Sequence, residues 1–231
     1  MIGLLTRCRI LLIVCNMKQQ RLVAQFKTRE QATYEALRQA IIEGRWGPEE
    51  PLVASRIAVE LGVSRITVAN ALKRLAGEGF VRLSPHKEAI VARPDPADVR
   101  ELYLMRAELE ALAAREAAEK ITPEELERCR QINESLQRLH AEPSATMRDL
   151  RAVDREFHRQ VRLAARMPRL AEVLLNLADQ CEYYRSRLLD PSRLAAPDPE
   201  AHVALLRLLA GREADAAAHF MREHVLQGMR A

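Results

Sequence analysis

A mainly α-helical protein of two units, the first carrying one small β-hairpin, is predicted by three observations. Ala, Leu, Arg and Glu dominate the 231 residues and aromatic side chains make up only 4%, the mix helices use where packing leaves the choice open and a poor one for a β-sandwich. Apolar residues recur at helical spacing along most of the chain. The charge also divides: residues 1–96 hold 15 Lys/Arg against 9 Asp/Glu, a net of +6, whereas residues 97–231 hold 21 against 23, a net of −2. A basic half beside a slightly acidic one points to a polyanionic partner for the first half alone, because phosphate contacts by Lys and Arg supply most non-specific nucleic-acid affinity.

Residues 1–27 are expected to be an N-terminal arm or a start-site artefact, with Met17 as an alternative start. The apolar run 10–14 follows Arg7 and Arg9, is too short to span a bilayer, and precedes Lys18 and Arg21 rather than a small-residue cleavage site. No membrane partner is expected. Cys8, Cys15, Cys129 and Cys181 lie far apart without CxxC spacing, which fits reduced thiols in a cytoplasmic protein.

Residues 28–93 form the first expected unit. Ala32, Ala36, Leu37, Ala40 and Ile41 share one face of a helix over 28–43 that Gly44 ends. A second, short helix over 54–61 turns Ile57, Ala58 and Leu61 inward and stops at Gly62. Ser64 then caps a third helix, with Val68, Ala71, Leu72 and Leu75 on one face and Arg65, Thr67, Asn70, Lys73 and Arg74 on the other. A short helix, a glycine turn and a capped helix with a polar, basic outer face make a helix-turn-helix, whose second helix enters the DNA major groove. Strands over 80–84 and 89–93, around Pro85-His86-Lys87-Glu88, supply a hairpin wing.

The run from Ile41-Ile42-Glu43-Gly44 through Leu61-Gly62-Val63-Ser64-Arg65 and Ala71-Leu72-Lys73-Arg74-Leu75 to Glu78-Gly79-Phe80-Val81 resembles the winged helix-turn-helix of GntR-type bacterial transcription regulators. The resemblance implies that Ser64, Arg65 and Thr67 open the recognition helix. Arg65 is the expected base or phosphate contact, and Asn70, Lys73, Arg74, His86 and Lys87 complete the expected DNA-binding set. Ala69 stands where the family often has arginine and Glu88 where the wing usually has glycine, so a distinct operator sequence is implied.

Residues 94–97, with Pro94 and Pro96, read as a linker because each proline biases its predecessor away from helix. From 98 to 231 the chain reads as an antiparallel all-α bundle. Its helices are expected over 99–120, from Thr122-Pro123-Glu124-Glu125 (a capping box with proline at the first helical position), over 147–166 and 169–189, from Asp198-Pro199-Glu200, and over 214–229 beyond Gly211.

Asp154 and His158 lie one turn apart on one helix face, His202 near the start of the fifth helix and His224 toward the end of the sixth. A hairpin at Gly211 brings the last two to a similar level. Three imidazoles and a carboxylate suit a divalent transition metal, although scattered histidines on amphipathic helices are more often surface or satisfied core residues. Arg106 with Leu109-Glu110, Asp154 with Phe157-His158, His202, and Gly211 through Ala217 and Met221 to His224 resemble the FCD ligand-binding domain of the FadR subfamily. The resemblance implies that Asp154, His158, His202 and His224 hold zinc or nickel, with manganese as a further option, and that a small carboxylate metabolite completes the coordination. Arg106 is then the candidate partner of the effector carboxylate; its alternative is a salt bridge to Glu110 at i+4. His219, His140 and His86 are expected to face solvent.

The expected whole is a homodimeric, ligand-responsive repressor on a palindromic double-stranded operator, two-fold symmetry matching two half-sites. Competing readings are a metal-dependent hydrolase fused to a DNA reader and a regulator with a purely structural metal. Neither an HExxH motif nor a glutamate placed beside the ligands as general base is present to favour the hydrolase, and no enzyme is expected.

Overall fold

A computed structural model describes residues 28–84, 89–188 and 196–230. They fall into two compact units that meet between Ala92 and Arg93.

In the first unit, helix α1 (Arg29–Ile42) starts where the Thr28 hydroxyl accepts from Gln31 N at 3.2 Å. Strand β1 (Pro51–Leu52) precedes α2 (Ala54–Leu61), α3 (Arg65–Gly77), β2 (Val81–Leu83) and β3 (Ala89–Val91). The sheet is antiparallel in the order β1-β3-β2, with Pro51 opposite Ile90 and Arg82 opposite the same residue from the other side. The third strand, β1, is an addition to the expected hairpin: two residues, one of them proline, carry no periodicity, and only pairing with β3 makes them a strand. Leu37, Ile41, Val68, Leu75, Phe80 and Val91 form the core at 0–2% exposure, so α3 is held by its apolar stripe and its other face is left outside.

The turn between α2 and α3 depends on Gly62, which caps α2 in the left-handed region at φ 62° and ψ 36° while Val63 N donates to Ala58 O at 3.1 Å. A Cβ at Gly62 meets nothing within 4 Å, so the cost of a side chain there is backbone strain alone. Gly62→Ala is expected to lower the stability of this unit by about 1–2 kcal/mol. Urea unfolding followed by fluorescence of Trp46, the single tryptophan, measures it; an unchanged midpoint would remove the glycine requirement.

The second unit is six helices among the described residues: α4 (Pro96–Lys120), α5 (Pro123–His140), α6 (Met147–Ala164), α7 (Pro168–Leu188), α8 (Pro199–Ala210) and α9 (Ala214–Arg230). Helix α4 starts three residues before the predicted Val99. Asp95 accepts from Ala97 N at 2.8 Å and Pro96 occupies the first turn, so of the two prolines read as linker Pro96 instead opens a helix. Helices α5 and α6 both start in capping boxes, Thr122 with Glu125 and Thr146 with Asp149. Helix α4 is the central strut, packed most extensively on α9 and also on α7 and α6, while α5 lies against α6 and α8. Its contact stripe of Ala107, Ala111, Ala114 and Ala118 is buried, and such small side chains let neighbouring helix axes approach closely. No described helix is long and apolar enough to cross a membrane.

Candidate metal centre and nucleic-acid interface

Three helices converge on one point of the second unit. His158 on α6, His202 on α8 and His224 on α9 place a ligand atom each within 4.8 Å of one another. Their ring centroids form a near-equilateral triangle with sides of 5.3, 5.4 and 5.8 Å. Asp154, one turn before His158, adds Oδ1 at 3.8 Å from His158 Nε2 and 3.3 Å from His202 Nε2. Phe157 stacks flat on the His202 ring, at 3.9 Å between centroids and 8° between planes, which fixes that imidazole. All four residues singled out in the sequence as ligands are therefore brought together.

Two imidazole nitrogens of the cluster, the buried His158 Nδ1 and His202 Nε2, lack a hydrogen-bond partner among the described residues, an arrangement that costs free energy unless a ligand satisfies it. Burial pushes the His158 imidazole down to about 3 against the opposing pull of Asp154, and burial also lowers His224. Neutral imidazoles with open lone pairs beside a carboxylate fit a divalent transition metal.

A cavity of about 210 Å³ lies against this cluster, with Asp154, His158 and His224 in its wall together with Tyr103, Arg106 and Arg155. Arg106 both lines the cavity and pairs with Glu110, its Nε 3.3 Å from Oε1, so the two expectations for this residue coexist. Sequence reasoning missed that Glu110, 1% exposed, is shared. It also accepts both Nε and Nη2 of Arg162 from α6, with Nε at 3.2 and 3.1 Å from its two oxygens. Burial alone would raise the Glu110 carboxyl; Arg162 and then Arg106 outweigh it and hold it at about 2. The Arg106 guanidinium is held above its ordinary value because Glu110 outweighs its burial. Two guanidinium groups thus share one carboxylate beside the cavity, an excess of one positive charge. His140 is exposed and its Nε2 donates to Pro197 O at 2.8 Å, and His219 is exposed on α9.

On the first unit, Ser64 caps α3 by accepting from Thr67 N at 3.1 Å, and the two hydroxyls lie 2.8 Å apart. Arg65, Asn70 and Lys73 are exposed on α3 without a hydrogen bond or ion pair among the described residues. Arg74 differs. Its guanidinium sits 3.7 Å over the Tyr34 ring, donates to Gln31 Oε1 at 2.8 Å and pairs with Glu78 at 3.1 Å, so it ties α3 to α1. Ile66, 73% exposed between Arg65 and Thr67, was overlooked. Its signal was an apolar β-branched residue out of phase with the buried stripe. His86 and Lys87 lie outside the described residues.

Comparison with known proteins follows the same division. Residues 29–91 match the model for bacterial regulatory proteins of the gntR family, and residues 101–227 match that for the FCD domain. The HTH-type transcriptional repressor RspR of Escherichia coli is 27% identical over 199 residues, 84% of this chain and 85% of that protein. A regulator of Agrobacterium vitis from the TAR-I ttuE-ttuC′ intergenic region is 38% identical over 86 residues, 37% of this chain, which spans only 50% of that protein. The solved structure of E. coli McbR/YncC shares the fold, with a TM-score of 0.75 at 22% identity over 89% of this chain and 97% of that one. A winged helix-turn-helix joined to a helical unit of this build, matched by both family models, makes the chain a member of the GntR family of bacterial transcription regulators with an FCD domain.

Proposed function

We propose that this regulator binds a palindromic operator as a homodimer and represses transcription until a small organic acid occupies the cavity of its FCD domain. The observation that carries the reading is the convergence of Asp154, His158, His202 and His224 around buried imidazole nitrogens that lack donors. These four residues are assigned as ligands to zinc, nickel or manganese. A bound divalent metal with an open position supplies a Lewis-acidic site for a carboxylate. Arg106 takes the second role in effector binding, because the guanidinium excess around Glu110 offers a buried cation to an anionic ligand. Repression is favoured by the name of the relative RspR. The effector acts by favouring one arrangement of the paired DNA-binding units, a coupling typically worth about 1–3 kcal/mol.

Elemental analysis of the purified protein, followed by calorimetric titration with small carboxylates, tests the sensor half. About one metal per chain with carboxylate binding supports it. Metal without carboxylate binding assigns the ion a structural role, and no metal after loading sinks the site.

On DNA, the reading surface is the exposed face of α3, with Arg65, Ile66, Thr67 and Asn70 toward base edges. Ser64 and Lys73 are placed at the phosphates, together with wing residues His86 and Lys87. Arg74 supports the helix from behind through Tyr34. Arg65→Ala is expected to weaken operator binding by about 1–3 kcal/mol, roughly 5- to 150-fold, when measured by fluorescence anisotropy at fixed salt. An unchanged affinity with unchanged sequence preference would move the base contact elsewhere on the helix.

A further inference from the structure

We infer that Asn133, on α5, is a positioning residue for His202: its side-chain amide fixes the imidazole as the Nδ1–H tautomer and so presents an unprotonated Nε2 toward Asp154. The inference rests on the metal reading above for its purpose, but its geometry is independent of it. Asn133 is 3% exposed. One end of its amide lies 3.0 Å from Pro199 O, and the other lies 3.0 Å from His202 Nδ1. A carbonyl oxygen can only accept, so the group facing Pro199 is the NH2 and the group facing His202 is the amide oxygen. That oxygen in turn can only accept, so Nδ1 must carry the proton. In the neutral ring Nε2 is then a bare lone pair, and it is the buried nitrogen that has no hydrogen-bond partner. It stands 3.3 Å from Asp154 Oδ1, so two acceptors face one another across a gap that a cation would fill.

The surrounding contacts show why the amide can hold this role. Asn133, Gln137 and His140 share one face of α5 and reach Pro199 O, Glu200 and Pro197 O respectively. The start of α8 is therefore seated on α5, and Phe157 stacked on the ring opposes rotation about its χ2. Metal-bound histidines depend on such a partner for their second nitrogen, and removing it typically lowers metal affinity about 10- to 100-fold.

The test uses the full chain with ¹⁵N-labelled histidine, first free of metal and above the imidazole titration range. His202 is expected as the Nδ1–H tautomer, and an Nε2–H tautomer in the wild-type protein overturns the inference without any variant. Zinc affinity, by competition with a chromophoric chelator, is then compared in Asn133→Leu and Asn133→Asp, both checked for helicity. Asn133→Leu keeps the branched shape and loses the acceptor, so it is expected to show mixed tautomers and an affinity lower by about 10- to 100-fold. Asn133→Asp keeps an acceptor at Nδ1 and is expected to retain the tautomer and most of the affinity. Equal loss in both variants, or none in Asn133→Leu, assigns Asn133 to packing alone and overturns the inference. Should the wild-type chain bind none of zinc, nickel and manganese, the metal reading fails, and the tautomer still decides the role of Asn133.

Discussion

Glu110→Ala is expected to cost the helical unit about 3–5 kcal/mol, the range seen when one partner is removed from a buried ion pair. The variant leaves Arg106 and Arg162, 17% and 6% exposed, with no carboxylate between them. Glu110→Gln keeps the shape and one acceptor and should lose less. Because the unit boundary separates Trp46 from this triad, the two halves can be followed apart in one urea titration. The helical transition in far-ultraviolet circular dichroism should move while the Trp46 fluorescence transition stays. A shift under about 1 kcal/mol would mean that the triad does not hold the bundle. The same residue sets an acid limit. Its carboxyl ordinarily titrates at 4.5 and is held at about 2 in the fold, so its contribution of about 3 kcal/mol is complete above pH 4.5. That stabilisation is lost as pH falls from 4.5 toward 2, and Glu110→Gln should flatten this part of the pH profile.

Asp154→Ala and His202→Ala are each expected to lower metal affinity by more than about 100-fold, since even loss of a residue that only orients a ligand costs 10- to 100-fold. His219→Ala, changed on the exposed side of α9, serves as the control and should bind as the wild type does. Chelator competition on variants of unchanged helicity measures all three. Retention of metal by both site variants would place the ion elsewhere in the chain.

Much of this architecture was legible because its determinants are local. The capping box of Thr122 and Glu125, the Ser64 cap and the Gly62 stop depend on residues within one turn, and each marks the boundary found in the structure. What was missed is non-local. Strand β1 exists only by pairing with residues near position 90, and Glu110 meets Arg162 across 52 positions. Arg74 was readable as an outer-face cation, but the Tyr34 and Gln31 that engage it come from another helix. The candidate site shows the same split. Asp154 and His158 follow from a single helical turn, whereas His202 and His224 had to be supplied by family resemblance and by the hairpin at Gly211. The hold of Asn133 on His202 comes from packing of α5 against α8, which no sequence period encodes.

The pairing of α4 with α9 bears on the order of events during synthesis. These are the first and last described helices of the FCD unit, and their contact joins residues more than a hundred positions apart, as Arg222 with Glu108 illustrates. Contacts of such separation reward the chain only after the intervening loop has been closed. The winged-helix unit, whose core needs nothing beyond Val91, can assemble while the rest of the chain is still emerging from the ribosome. The FCD unit, by contrast, has α4 without its most extensive packing partner until α9 arrives. A nascent chain arrested before α9 therefore carries a finished winged helix ahead of an unfinished FCD unit.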